Sequence, residues 1–124
     1  MHSLHCSIEL EFTHLDFYDH YVISEIKSEM VFENQHVDEL LEVCLDVFDG
    51  RSFVYISNRK HDYNVNPTIY LHLDKAEALK GIAIVSDKKS ALNMAKFESQ
   101  FSKVNYEIFS GLEEAREWAL EQVK

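Results

Sequence analysis

Residues 52–67 read SFVYISNRKHDYNVNP, and the change of character along this stretch decides the fold. Ser52–Ser57 is a short apolar run rich in β-branched and aromatic residues, the composition of a buried strand. Residues 58–66 are polar and aperiodic, a loop. Pro67 then suits the first position of a helix, where its missing N–H is no loss, and Asn66 suits the cap. The following TIYLHLDKAEALK alternates at Ile69, Leu71 and Leu73 as a strand would, but its length and its proline start favour a helix over 68–80. Ile82–Val85 is apolar and short again, a second buried strand. Strand, loop, helix and strand in that order require a crossover connection, and hence a parallel sheet with helices on it.

Downstream, Ser86 or Asp87 can cap a helix over 88–101, and Val104–Phe109 returns to strand character. Ser110-Gly-Leu-Glu113 has the spacing of a capping box for a last helix, whose inward stripe is Leu112, Ala115, Ala119 and Val123 with Trp118 beside it. Upstream, Val37, Leu40, Leu41, Cys44, Leu45 and Phe48 form one stripe of an amphipathic helix, with Asn34 as cap and Gly50 beyond its stop. Before it, Cys6, Ile8, Leu10 and Phe12 alternate with polar residues as a half-buried strand. A turn near Thr13–Asp16 and a second strand over 18–26 make an antiparallel hairpin. The expected fold is α/β: a mixed sheet of about five strands, an N-terminal antiparallel hairpin and four covering helices. A chain of 124 residues fits one domain, 1–124.

Composition narrows the function classes. With 22 acidic against 12 basic residues and a net charge of −10, the chain repels phosphate backbones, so no nucleic-acid partner is expected. No apolar run approaches the roughly 20 residues that span a bilayer, and the N-terminus lacks a signal-peptide pattern, so no transmembrane segment and a cytoplasmic location are expected. Gly50, Gly81 and Gly111 stand alone at element junctions and build no phosphate-binding loop. A phosphoacceptor receiver domain needs an acid pair and an aspartate at strand ends, where this chain has Phe12–Thr13 and Ser57–Asn58. The seven histidines lack metal-site spacing, so neither metal nor cofactor is expected. Cys6 and Cys44 sit on apolar faces, where a thiol is inert. No acid, base and nucleophile converge, so no enzymatic activity is expected.

In open α/β sheets, ligands and partners gather outside the C-terminal ends of the strands. That rule selects the loop after residues 52–57 and the Ser86–Asp87 edge after residues 82–85. The candidate partner- or ligand-binding residues are Ser57, Asn58, Arg59, His61, Tyr63, Asn66, Thr68, Ser86 and Asp87. Arg59, Lys60 and His61 make a local basic spot near a helix start, a combination that favours an anion.

These residues carry a resemblance. Ser57, Asn58, Arg59, Tyr63 and Pro67, with the closing pattern Phe109, Leu112, Ala115 and Trp118, resemble the SpoIIAA-like branch of the STAS superfamily, most sharply over 52–120. The resemblance implies a mixed sheet with packed helices, as in anti-sigma-factor antagonists, and a regulatory or protein-interaction module. Those proteins switch through a phosphorylated serine in an Asp-Ser-Gly context, where this chain has Asn66-Pro67-Thr68 and lacks both the serine and its glycine. The branch is also grouped with SEC14-like lipid-transfer folds. That grouping implies the alternative of a carrier or sensor of a small amphipathic or lipid-like ligand. A homodimer is possible under either reading.

Overall fold

The computed structural model describes residues 4–28, 30–61 and 64–124. Three strands open the chain: β1 (Cys6–Glu9), β2 (Thr13–Phe17) and β3 (Tyr21–Ile26). They pair antiparallel as a meander, with Leu15 opposite Ser24 and Phe17 opposite Val22. The expected turn at Thr13–Asp16 is therefore strand β2. The turn falls at Leu10–Phe12 instead, closed by the Leu10 N–H donating to the Thr13 carbonyl. The alternation through Phe12 hid it, because residues 13, 15 and 17 alternate equally well on the far side of the bend.

A two-residue strand β4 (Val31–Phe32) leads into α1 (Asn34–Phe48). The cap of α1 is Glu33 rather than Asn34: its carboxylate takes one backbone N–H of the first turn, and the His36 ring accepts the Glu33 N–H at 3.0 Å. After α1 come β5 (Phe53–Asn58), β6 (Asn64–Val65) and α2 (Ile69–Leu73). The expected helix over 68–80 is thus only five residues long. It ends at Asp74, whose carboxylate accepts the backbone N–H groups of Lys103 and Val104, and Leu79 already begins the next strand. That strand is β7 (Leu79–Val85), followed by α3 (Lys89–Glu98), a 3₁₀ turn (Ser99–Phe101), β8 (Tyr106–Phe109) and α4 (Leu112–Gln122). Gly111, not Ser110, caps α4, and the expected capping box does not form.

The main sheet has six strands in the order β1-β2-β3-β5-β7-β8, with β3 through β8 parallel. The short strands β4 and β6 form a separate parallel pair, giving eight strands where about five were expected. Two-residue strands carry no periodicity of their own, which is why the sequence reads them as loop.

Strand alternation divides the core in two. Leu15, Phe17, Val22, Phe53, Tyr55, Ile82 and Ile84 face Val37, Leu40, Cys44 and Phe48 of α1, with Tyr70 of α2 and Ala95 of α3. Tyr21, Ile23, Val54, Ile56, Ala83 and Val85 face Ala115 and Ala119 of α4. Gly81 lies inside β7 rather than at a junction; the Trp118 ring sits 2.9 Å from where a Cβ would project, so only glycine admits α4 this close. Cys6 is exposed on edge strand β1, contrary to the expected apolar burial, whereas Cys44 is buried and its thiol is pushed up to about 12 by burial. Among the described residues, no helix is long and apolar enough to cross a membrane.

Candidate functional site

The carboxyl ends of β5, β7 and β8 emerge side by side, as their parallel register requires. Asn58, Arg59, Lys60, Val85, Ser86, Asp87, Lys88 and Ser110 surround an open depression of about 440 Å³ there. It lies beside the starts of α3 and α4. Its edges are fixed by backbone bonds: the Arg59 N–H donates to the Val85 carbonyl at 2.9 Å and the Ser86 N–H to the Phe109 carbonyl at 3.1 Å. The buried Ser86 hydroxyl accepts the Lys88 N–H at 3.1 Å.

Arg59 turns inward. Its Nη1 and Nη2 donate to Glu98 Oε2 and Oε1 at 3.0 and 2.7 Å, a bidentate pair in which both side chains are more than nine-tenths buried. The Tyr70 hydroxyl donates to Glu98 Oε1 at 2.5 Å, and burial pushes that hydroxyl well above its ordinary range. Strand β5, helix α2 and helix α3 are thereby joined by three polar side chains under the rim. A small space of about 10 Å³ lies against this cluster, walled by Phe32, Tyr55, Ile69, Leu73, Ile82 and Ile84 among others, with room for one water.

The sequence-selected residues therefore divide. Ser57, Asn58, Arg59, Ser86 and Asp87 are brought together at the strand ends, with Ser57 buried and Asp87 exposed. The expected basic spot is largely neutralised: Arg59 pairs internally with Glu98, while Lys60 and His61 face Glu25 at 3.7 and 3.5 Å. Asn66 Oδ1 accepts the Thr68 N–H and hydroxyl at 3.1 and 2.9 Å, a local turn opening α2. Tyr63 lies outside the described residues. Among the described residues, no group of three His, Cys, Asp or Glu side chains is placed to hold a metal ion.

No protein-family model matches the chain, and no curated protein matches its sequence. Its structure is similar to the crystal structure of an uncharacterized protein of the DUF3478 family from Shewanella loihica PV-4, described as having a SpoIIAA-like fold. The match has a TM-score of 0.57 and 12% sequence identity, and covers 96% of this chain and 95% of that one. The chain has a SpoIIAA-like fold.

Within this SpoIIAA-like fold, sequence reading missed Glu98 and Tyr70, the partners that fix Arg59. A signal for Glu98 was present. Ala91, Ala95 and Glu98 stand at i, i+4 and i+7, so the glutamate occupies a stripe position of α3 where an apolar residue belongs. A carboxylate there demands a buried cation. Which cation it meets is set by a contact 39 positions away, and no local pattern encodes that.

Proposed function

We propose that the chain is a single-domain, non-catalytic regulatory or protein-interaction module of STAS type, acting in the cytoplasm. Its partner docks on the rim where Asn58 and Asp87 offer polar groups over the buried Ser57, Arg59 and Ser86 that shape it, and His61, Tyr63, Asn66 and Thr68, which follow in the sequence, are its further candidate contacts. The observation that carries this reading is the open polar depression at three strand ends, with walls held by Ser86 and by the buried Arg59–Glu98–Tyr70 cluster. Rigid backbone beneath exposed polar side chains lowers the entropy lost on docking, which suits recognition. The rim offers both signs of charge, Lys60 and Lys88 beside Asp87, as protein partners use to fix register.

Affinity capture on the purified chain, compared with an Asn58→Ala, Lys60→Glu, Asp87→Lys variant of unchanged melting temperature, tests it. Recovery of the same partner should fall roughly tenfold, a change of about 1.4 kcal/mol. Equal recovery would place the docking surface elsewhere.

The carrier reading draws on the apolar wall of the space beneath α2. At about 10 Å³ that space is far below the roughly 300 Å³ of a small-molecule pocket, so loading would require α2 to swing out. Native mass spectrometry of protein purified without detergent distinguishes the two: an amphipathic adduct favours the carrier, and bare protein removes it.

A further inference from the structure

Helix α3 keeps little of its large apolar surface inside. Its buried positions are Ala95 and Glu98, while Met94 and Phe97 are 42% and 56% exposed and Phe101, in the following turn, is 36% exposed. The three stand at i, i+3 and i+7, one helical stripe, and the Phe97 and Phe101 rings meet edge to face at 5.5 Å. Contiguous apolar side chains left in water mark a surface that meets something.

Charge says what. Residues 88–103 hold Lys88, Lys89, Lys96 and Lys103, all exposed, against one acid, Glu98, which Arg59 neutralises internally. This stands out in a chain of net charge −10. Among the described residues, no carboxylate forms an ion pair with Lys89, Lys96 or Lys103.

We propose that the apolar stripe of α3, bordered on its exposed side by the lysines of the same segment, is a second docking surface, and that its occupant is an acidic amphipathic helical segment of a protein partner. The partner's apolar residues cover Met94, Phe97 and Phe101, and its carboxylates meet the lysines. An anionic membrane fits less well. Ala95 and Glu98 hold α3 against the sheet, so only three large side chains could enter the lipid, and the rest of the acidic surface would be repelled. Lys88 belongs to the rim proposed above, but Met94, Lys96, Phe97, Phe101 and Lys103 do not line it, so the surface they form is separate.

The test uses the full chain and a labelled synthetic helical peptide with leucines at i, i+3, i+4 and i+7 and glutamates elsewhere. Fluorescence anisotropy should show saturable binding that weakens with salt. Phe97→Ser with Phe101→Ser, and separately Lys96→Glu with Lys103→Glu, should each weaken it roughly tenfold or more. Lys60→Glu at the rim should leave it unchanged, which separates this surface from the first. Sedimentation with phosphatidylcholine–phosphatidylserine vesicles and of the protein alone runs in parallel. No saturable peptide binding up to millimolar concentration, indifference to both pairs of substitutions, or binding to vesicles or self-association in its place would overturn the proposal.

Discussion

Two clusters of charged side chains lie on different strands of this sheet, and they differ most in their exposure to water. Under the rim, Arg59, Glu98 and Tyr70 bind one another with almost no solvent contact. At the β1 edge, His14 bridges Glu9 at 2.7 Å and Asp16 at 2.9 Å, and Lys27 meets Glu9 at 2.7 Å, all partly or fully exposed. The distances are nearly the same. The consequences are not, because a charge stripped of water depends wholly on its partner, whereas an exposed one is rehydrated when the partner leaves. The first cluster ties β5 to two helices; the second trims an edge strand.

Breaking the buried pair is the sharpest test of that difference. Arg59→Ala or Glu98→Ala should each lower stability by about 3–5 kcal/mol, read by urea denaturation, because one ion is left unpaired inside. Replacing both, as Arg59→Met with Glu98→Leu, should restore most of it. A double variant no better than the singles would mean that the cluster does more than neutralise charge. Tyr70→Phe removes one hydrogen bond to a buried carboxylate and should cost about 1.5–3 kcal/mol.

The two cysteines repeat the contrast between interior and edge. Cys6 should react promptly with an alkylating reagent in the native protein, and Cys44 only on unfolding, as mass spectrometry after timed quenching would show. The Cys44 thiol is raised from 9.0 to about 12 in the fold. Its contribution to stability is therefore complete below about 9 and is lost as pH rises from there toward 12. Alkaline denaturation should begin in that window, and a Cys44→Ala variant should blunt its pH dependence.

The smallest effect belongs to the exposed cluster. Bonds to Glu9, and then to Asp16, raise the His14 ring above its ordinary value near 6.5. Its contribution is complete below that value and fades as pH rises through the raised one. His14→Ala should change stability by less than about 1 kcal/mol. NMR titration of the His14 ring should show the upward shift, with amide changes confined to β1 and β2. A large global loss would erase the distinction between the clusters.

How much was legible follows the same division. The α1 stripe, the buried run at β5 and the Ala115/Ala119 face of α4 were readable because each is a local period of a single element. Strand β2 was lost because two alternating stretches meet in phase across a three-residue turn. Helix α2 was overextended because Asp74 stops it by binding Lys103 and Val104, residues far along the chain. The strand-end residues from Ser57 to Asp87 were reachable by rule, whereas the inward turn of Arg59 was not.

By itself, the sequence determined the alternation of strands and helices, the covered sheet and the two strand ends that share a rim, since hydrophobic spacing and crossover geometry are properties of neighbouring residues. Only the tertiary structure decided which charges lie inside. It matched Arg59 to Glu98, shortened α2, turned Met94 and Phe97 of α3 toward water and required Gly81 beneath Trp118. Burial and pairing across tens of residues are set by how elements pack, and that information exists only once they have met.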